Sequence, residues 1–252
     1  MESQLGELSR TLCDAAKLAP GDRVLDLACG TGEPAVTAAR RVAPDGQVTA
    51  TDLSPDMLAA ARRRFERLGL GVEVREMDAE HLEFPDASFD AVTCRFGLMF
   101  CPDPTRAAAE IHRVLRPGGR FAVAVWDEPA RNPFFTLIGQ VIAKFIPMPP
   151  PDPKAPGVFR LAPPGELASV LRAGGFADIS VDAFPTMFRY RSTEHYWEVQ
   201  SQLAAPLKAA VAKLGPEELA PLRAAVMAVA AANVIDGHVA FAATPLVATG
   251  SK

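Results

Sequence analysis

The sequence predicts an α/β fold, in which a mostly parallel β-sheet is flanked by helices. The first half of the chain alternates short apolar runs with segments of helical periodicity, a pattern typical of parallel sheets. A turn containing two glycines follows the first apolar run, and an aspartate ends the second run. In parallel sheets both positions lie at the edge where ligands bind.

The composition excludes several classes of protein. The formal net charge is -4 and no run of Lys and Arg forms a track for phosphates, so we expect no nucleic-acid partner. No apolar stretch is long enough for a membrane span, and no targeting segment is recognisable. The four cysteines form no Cys-x-x-Cys pair and the four histidines are scattered. We therefore predict reduced thiols, no metal site and a cytoplasmic location.

Five strands and three helices are predicted in the first half. Pro34 and Pro55 fall near helix starts, where the missing amide hydrogen is harmless, and Ser54 can cap the second helix. The predicted strands cover residues 23–28, 47–52, 72–76, 89–94 and 120–126, and the predicted helices cover residues 33–42, 55–68 and 104–115.

The second half is less regular. Gly174-Gly175 is expected to end a short helix, and Pro245 is expected to interrupt the last strand. The expected elements are helices at 132–146 and 164–173, a Pro-rich connector at 147–157, an extended segment at 176–190, a helical region at 193–234 and a strand at 238–249.

The most informative segment is VLDLACGTGEPA, residues 24–35. Gly30 and Gly32 permit positive φ angles and let a ligand approach the backbone closely. Asp52 stands twenty positions beyond Gly32, at the end of the next strand, where a carboxylate can accept hydrogen bonds from both ribose hydroxyls. This spacing predicts a cofactor that contains adenosine.

Three acidic residues argue against a nicotinamide dinucleotide. Asp26 lies four residues before Gly30 and would repel a diphosphate, whereas it suits a cofactor that carries an ammonium and a sulfonium. Glu33 at the start of the following helix is equally unfavourable for a phosphate. Asp78, followed by Ala79, closes the third strand and could hold the adenine amino group.

The segments VLDLACGTG, TDLSPDML, MDAEHLEFPDASFD and LRPGGRF resemble, in order and spacing, the motifs of class I S-adenosylmethionine-dependent methyltransferases. They are most similar to the branch that contains the ubiquinone and menaquinone biosynthesis C-methyltransferases. The resemblance covers about residues 20–127 closely. It implies a Rossmann-like sheet of seven strands whose last strand is antiparallel and lies between the fifth and sixth. It also implies S-adenosyl-L-methionine as cofactor and S-adenosyl-L-homocysteine as product.

The resemblance assigns the cofactor-binding residues by position. The residues it implies are Asp26, Ala28, Gly30 and Gly32 around the methionine part, Asp52 at the ribose, Leu53 and Met57 beside the adenine, Asp78 and Ala79 at the adenine edge, and Arg95 near the methionine carboxylate or the mouth of the substrate pocket. Relatives commonly carry a longer N-terminal region than the roughly twenty residues before the first strand here. We therefore expect either a more open site or a shortened start of the chain.

The acceptor is expected at the carboxyl ends of the strands, beneath the two long irregular segments 126–163 and 191–237. These divide the chain into a cofactor-binding half (1–127), an insertion (128–163), a helix with the sixth strand (164–190), a helical cap (191–237) and a last strand (238–252). His195 is the candidate general base, required only if the acceptor must lose a proton. The candidate acceptor-binding residues are Trp126, Asn132, Phe134, Phe159, Arg160, Tyr190 and Trp197.

The leading interpretation is a methyltransferase that moves a methyl group by in-line displacement to an O, N or C atom of a small, partly apolar molecule. We expect a monomer or a homodimer. Nucleic-acid amine methylation is disfavoured because CRFGLMF stands after the fourth strand, where such enzymes carry an Asn/Asp-Pro-Pro-aromatic motif. Two alternatives stay open: a methyltransferase-like protein that binds the cofactor without catalysis, and an NAD(P)-dependent oxidoreductase.

Overall fold

The computed structural model describes residues 5–146, 152 and 154–252. The helices are α1 Gly6–Ala15, α2 Ala35–Val42, α3 Pro55–Leu68, α4 Pro104–Val114, α5 Pro133–Ile142, α6 Glu166–Ala173, α7 Thr193–Leu203, α8 Ala205–Lys213 and α9 Pro216–Ala232. The strands are β1 Arg23–Leu27, β2 Gln47–Asp52, β3 Val72–Glu76, β4 Phe89–Arg95, β5 Leu115–Trp126, β6 Ile179–Ala183, β7 Thr186–Tyr190, β8 Val234–Ile235, β9 His238–Ala243 and β10 Pro245–Ser251.

The main sheet has seven strands in the order β3-β2-β1-β4-β5-β10-β6. The pairs β3–β2, β2–β1, β1–β4 and β4–β5 are parallel, and β10 runs antiparallel between β5 and β6. The predicted class I methyltransferase topology is therefore confirmed. The chain moves outward from β1 to β3 on one side and from β4 to β6 on the other, so the order reverses between β1 and β4, where open α/β sheets bind ligands.

The strands of the sheet centre are largely buried because helices cover both faces. Right-handed crossovers place the β1–β2 helix and the β4–β5 helix on opposite faces, since the two connections move in opposite directions along the sheet. Val24, Leu25 and Leu27 of β1 and every residue from Phe121 to Trp126 of β5 are buried. This rigid core holds the carboxyl ends of β1 to β4 at one edge.

Helix α1 is an element that the sequence analysis did not predict. Its apolar stripe buries Leu8, Leu12 and Cys13, and the helix packs against β4, β5 and α2. No side chain caps its start, so it lacks the usual sequence signal of a helix N-terminus. The residues before β1 thus include a packed helix.

The described residues form two compact units, the larger comprising residues 5–127, 154–184 and 245–252 and the smaller comprising residues 128–146, 152 and 185–244. The smaller unit contains an antiparallel sheet in the order β7-β9-β8 together with helices α5, α7, α8 and α9. Its core is aromatic: Phe134 stacks on Phe188, and Tyr196 contacts both Tyr190 and Phe241. The five-segment division of the chain stays a prediction.

Two predicted strands are each split between the two sheets. The extended segment 176–190 becomes β6 of the main sheet and β7 of the small sheet, and Pro185, which cannot donate to a ladder, lies between the two strands. The expected break at Pro245 separates β9 from β10 in the same way. The helical region expected at 193–234 is confirmed, and Ala204 and Leu214-Gly215 divide it into three helices.

The helix expected at 164–173 is present as α6, whereas the helix expected at 132–146 is shorter, since α5 ends at Ile142. Residues 147–151 and 153 of the Pro-rich connector lie outside the described residues. Within the described part of the chain, no helix is long and apolar enough to cross a membrane.

Candidate active site

The turn after β1 has the backbone conformation that its two glycines were expected to supply. Ala28, Gly30 and Gly32 all have positive φ angles, of 52°, 54° and 106°. At Gly32 a Cβ atom would lie 2.9 Å from the ring of Phe65 on α3, so a larger residue has neither the conformation nor the space. The glycines therefore bring the turn against α3 and leave the backbone of Gly30 open on the opposite side.

Asp52, the last residue of β2, ties this turn to the start of α3. Its Oδ2 accepts from the Gly30 amide at 2.9 Å, and its Oδ1 accepts from the Ser54 amide at 2.9 Å. The predicted cap is present as well, since the Ser54 hydroxyl accepts from the Met57 amide. A carboxylate held by backbone amides keeps lone pairs for the two hydroxyls of a ribose.

Asp26 is fully buried beneath the glycine turn. Its Oδ1 accepts from the Thr93 hydroxyl at 2.7 Å, and its Oδ2 accepts from the amide of Ala35, the first residue of α2, at 2.9 Å. Burial raises the pKa of Asp26 to about 7, although the Thr93 hydroxyl, the Arg95 guanidinium and the Ala35 amide each lower it. Because the Asp26 carboxylate already accepts from the first amide of α2, a phosphate at that helix end would meet a negatively charged group.

A cavity of about 460 Å³ lies at the carboxyl ends of β1 to β4. This volume is typical of small-molecule sites. The lining residues are Ala28, Gly30, Asp52, Leu53, Ser54, Met57, Met77, Asp78, Ala79, Phe96, Gly97, Phe100, Cys101 and Pro102.

Seven of the ten predicted cofactor-binding residues line this cavity, and three lie behind its wall. Asp26 is buried, and Gly32 packs against Phe65. Arg95 donates to the Leu5 carbonyl at 3.3 Å and to the Ser9 hydroxyl at 2.9 Å, which ties α1 to the end of β4. Direct contact of these three with the cofactor stays a prediction.

Sequence reasoning missed the segment from Phe96 to Pro102, which forms a whole wall of the cavity. Its CRFGLMFCP sequence served only to exclude a nucleic-acid motif. The available signal was position, because the end of β4 must lie beside the end of β1 at the point where strand order reverses. Gly97 carries a second signal, since a Cβ there would lie 2.4 Å from the Cβ of Ala28.

An ion pair outside the cavity braces the glycine turn. Glu33 pairs with Arg64 of α3 at 2.9 Å, and the two side chains are only 11% and 14% exposed. Arg64 also donates to the Thr31 carbonyl at 3.3 Å, while the Thr37 hydroxyl donates to Glu33 at 2.8 Å. The acid that argued against a phosphate at this helix start thus holds the turn in place.

Three of the predicted acceptor-binding residues belong to the larger unit. Trp126 is buried at the end of β5 and stacks on Phe96, whereas Phe159 is half-buried. The Arg160 guanidinium donates to the backbone carbonyls of Cys101 and Pro102, so it supports the cavity wall.

The other four lie in the smaller unit. Asn132 is buried, and its amide group accepts from the Thr244 amide at 2.8 Å and donates to the Glu128 carbonyl at 3.1 Å. Phe134 packs in the aromatic core, and Trp197 lies 5.9 Å from the Arg223 guanidinium. The Tyr190 hydroxyl accepts from Gln200 at 2.9 Å. Binding of an acceptor by these residues stays a prediction.

His195, the candidate base, takes part in the start of α7. Its Nδ1 accepts from the Arg191 amide at 3.2 Å, and its own amide donates to the Ser192 hydroxyl at 3.1 Å. The ring lies 5.8 Å from that of Tyr190. These contacts position the imidazole and give it a structural role, while its catalytic role stays a prediction.

Cys101 lines the cavity and Cys29 lies in the glycine turn, but neither thiol has the character of a nucleophile. Burial raises the pKa of the Cys101 thiol to about 12, and it raises the pKa of the Cys29 thiol as well, so both stay protonated and poorly nucleophilic. Over the described residues, no group of three His, Cys, Asp or Glu side chains is arranged to hold a metal ion.

The strand order and the glycine turn are those of the class I methyltransferase fold, and the cavity lies where that fold binds its ligand. A family model described as a methyltransferase domain matches residues 25–123. The demethylmenaquinone methyltransferase of Thermus thermophilus is 46% identical over 112 residues, which are 44% of this chain and 50% of that protein. Residues 25–123 thus match the methyltransferase-domain family, in agreement with the resemblance over this part of the chain.

Solved structures extend the likeness in fold to the whole chain. The YcgJ protein from Bacillus subtilis has a TM-score of 0.64 at 20% identity and covers 100% of this chain and 99% of its own. The [4+2]-cyclase SpnF has a TM-score of 0.58 at 26% identity, covering 96% of this chain and 80% of its own. The chain spans about half the length of the curated relatives it matches.

Proposed function

We propose that this protein is an S-adenosyl-L-methionine-dependent methyltransferase that acts on a small, partly apolar acceptor at an O, N or C atom. We further propose that the enzyme is cytoplasmic, works as a monomer or homodimer and has no nucleic-acid partner. Support comes from the family match over residues 25–123 and from the cavity at the point where strand order reverses.

The observation that carries the proposal is the buried Asp26 carboxylate at the N-terminus of α2. A dinucleotide would place its diphosphate at this helix end, where the Asp26 carboxylate already accepts a hydrogen bond from the Ala35 amide. A cofactor with an ammonium and a sulfonium gains from a nearby carboxylate instead. This difference favours the methyltransferase over the NAD(P)-dependent alternative.

The residues present fit such a cofactor. Gly30, with no Cβ, and the amide-held Asp52 suit the glycine-turn and ribose positions, and Leu53 and Met57 offer exposed apolar surfaces for a planar base. Asp78 at the end of β3 can accept from an amino group on the base edge. When bound, the cofactor supplies an electrophilic methyl group on a positively charged sulfur.

The chain's own contribution is positioning and the exclusion of water. The rigid ends of β1 to β4 fix the glycine turn and Asp52, and such preorganisation supplies much of the acceleration in a group transfer. A proton must be removed only from an acceptor such as a phenol or a quinol carbon, for which His195 remains the candidate base.

Calorimetric titration with S-adenosylhomocysteine tests the cofactor assignment. We expect binding by the wild type and at least about tenfold weaker binding by Asp52→Asn, because one acceptor of the ribose pair is lost. Asp45→Asn is the matched control, since Asp45 is exposed near the opposite end of β2. Equal affinities in all three proteins would remove Asp52 from the site, and binding of reduced nicotinamide dinucleotide in place of S-adenosylhomocysteine would overturn the proposal.

A binding protein without methyl transfer is the second candidate. The likeness in fold to a protein named as a [4+2]-cyclase is the reason to consider this candidate, because the fold alone does not specify methyl transfer. Incubation with methyl-labelled cofactor and a panel of phenols, quinols, amines and thiols separates the two. Labelled product supports the methyltransferase, whereas cofactor binding without transfer to any acceptor of the panel favours the binding protein.

A further inference from the structure

Phe96 lines the cavity in a backbone conformation that aromatic residues seldom adopt. Its φ is 66°, in the left-handed region, and its amide donates to the Ala124 carbonyl at 2.8 Å. The next residue, Gly97, lies so close to Ala28 that a Cβ would not fit. Strained backbone persists only where the surroundings fix it, and it concentrates at ligand sites.

Trp126 supports the Phe96 ring from behind. The two ring centroids lie 4.1 Å apart with their planes inclined by 9°, and Trp126 is only 4% exposed. Because Trp126 covers one face of Phe96, the opposite face is the one π-surface of the phenyl ring left to receive a ligand group. A rigid, backed aromatic surface therefore forms part of the wall.

The position of this ring within the cavity follows from its neighbours. The contact of Gly97 with Ala28 places the Phe96-Gly97 turn beside the glycine turn. Among the described lining residues, the charged side chains are Asp52, which ends β2 and accepts from the Gly30 amide, and Asp78, which follows β3. Both formal charges of the described lining are therefore negative, which suits a cationic ligand group beside the ring.

We propose that Phe96, backed by Trp126, is a specificity-determining residue that recognises the positive charge of a sulfonium and so distinguishes S-adenosylmethionine from S-adenosylhomocysteine. This inference rests on the proposed function. The face of an aromatic ring attracts a cation within about 6 Å of its centre, and the attraction strengthens when water is excluded. The neutral thioether of the product gains nothing from it.

The test compares the dissociation constants of the two ligands in wild type, Phe96→Leu, Phe96→Tyr and Phe100→Leu. We expect Phe96→Leu to weaken the binding of S-adenosylmethionine about tenfold more than the binding of S-adenosylhomocysteine. A general loss of packing would not change the ratio of the two dissociation constants in this way. Phe96→Tyr keeps the aromatic ring and is expected to restore the ratio. Phe100→Leu is the matched control, because Phe100 is another phenyl ring of the same wall.

An unchanged ratio in Phe96→Leu overturns the inference, as does an equal change in Phe100→Leu. Failure of the wild type to bind either ligand would instead refute the proposed function. Should Phe96→Leu not fold, the variant Trp197→Phe leaves Trp126 as the single tryptophan of the chain. S-adenosylmethionine is then expected to change the Trp126 emission more than S-adenosylhomocysteine does, and equal changes would overturn the inference.

Discussion

The buried carboxyl of Asp26 should make the stability of this protein fall as the pH rises. Burial raises its folded pKa to about 7 from an ordinary value of 3.8. The native state therefore binds more protons than the unfolded state between these values, and the free energy of unfolding must decrease with pH across that window. Above about pH 7 both states are ionised, and this contribution levels off.

The size of the effect follows from the two pKa values. A separation of about three at 1.36 kcal/mol per pKa unit corresponds to roughly 4 kcal/mol over the whole window. The part that falls between pH 5 and pH 8 is about 2.5 kcal/mol. Asp26 is fully buried, so solvent screening does not reduce this figure.

Asp26→Asn isolates the contribution because an amide can keep both hydrogen bonds without ionising. Its carbonyl oxygen can accept from the Ala35 amide, and its NH₂ group can donate to the Thr93 hydroxyl. Urea unfolding at pH 5 and pH 8 should show the stability of the variant rising relative to wild type by about 2.5 kcal/mol between the two pH values. Asp45→Asn, at an exposed position, should track the wild type at both. Parallel curves for wild type and Asp26→Asn would refute the reasoning.

Two further predictions concern the glycine turn and the candidate base. Glu33 and Arg64 can each be replaced by alanine, singly and together, and the stability of the three variants measured by urea unfolding. Because the pair is largely buried, we expect a coupling free energy of about 1 kcal/mol. Additive losses of stability would show that the pair does not brace the turn. If His195 is the general base, His195→Ala should lower turnover at least about a hundredfold and remove one limb of the pH profile. An unchanged rate across pH would leave His195 with its structural role at the start of α7.

The main sheet was predictable because its information is local. The strands β1, β4 and β5 contain apolar runs, β2 and β3 alternate apolar with polar residues, and Ser54 supplies the cap that begins α3. The assignment of Asp52 needed only its distance in sequence from the glycine turn. The place of β10 between β5 and β6 followed from the family resemblance and not from its own sequence pattern.

The smaller unit was less predictable because its strands pair with distant partners. Nothing in the sequence around Pro185 or Pro245 tells which of two sheets each flanking strand will join, since both sides have similar apolar alternation. Helix α1 likewise depends on packing against β4 and β5, with no capping side chain to mark its start. Propensity alone does not fix such elements, since tertiary contacts decide them.

The wall of the cavity shows why site residues can escape a motif search. Phe96 adopts a left-handed conformation that sequence patterns assign to glycine or asparagine, and Gly97 beside it is required by the approach of Ala28 and not by a turn. Both facts arise only when β4 is placed next to β1. A motif reports residues that touch a ligand through a fixed local geometry, as in the glycine turn. Residues whose role comes from two strands meeting must be found from the topology, so the ends of strands adjacent to a known binding turn are the first positions to examine.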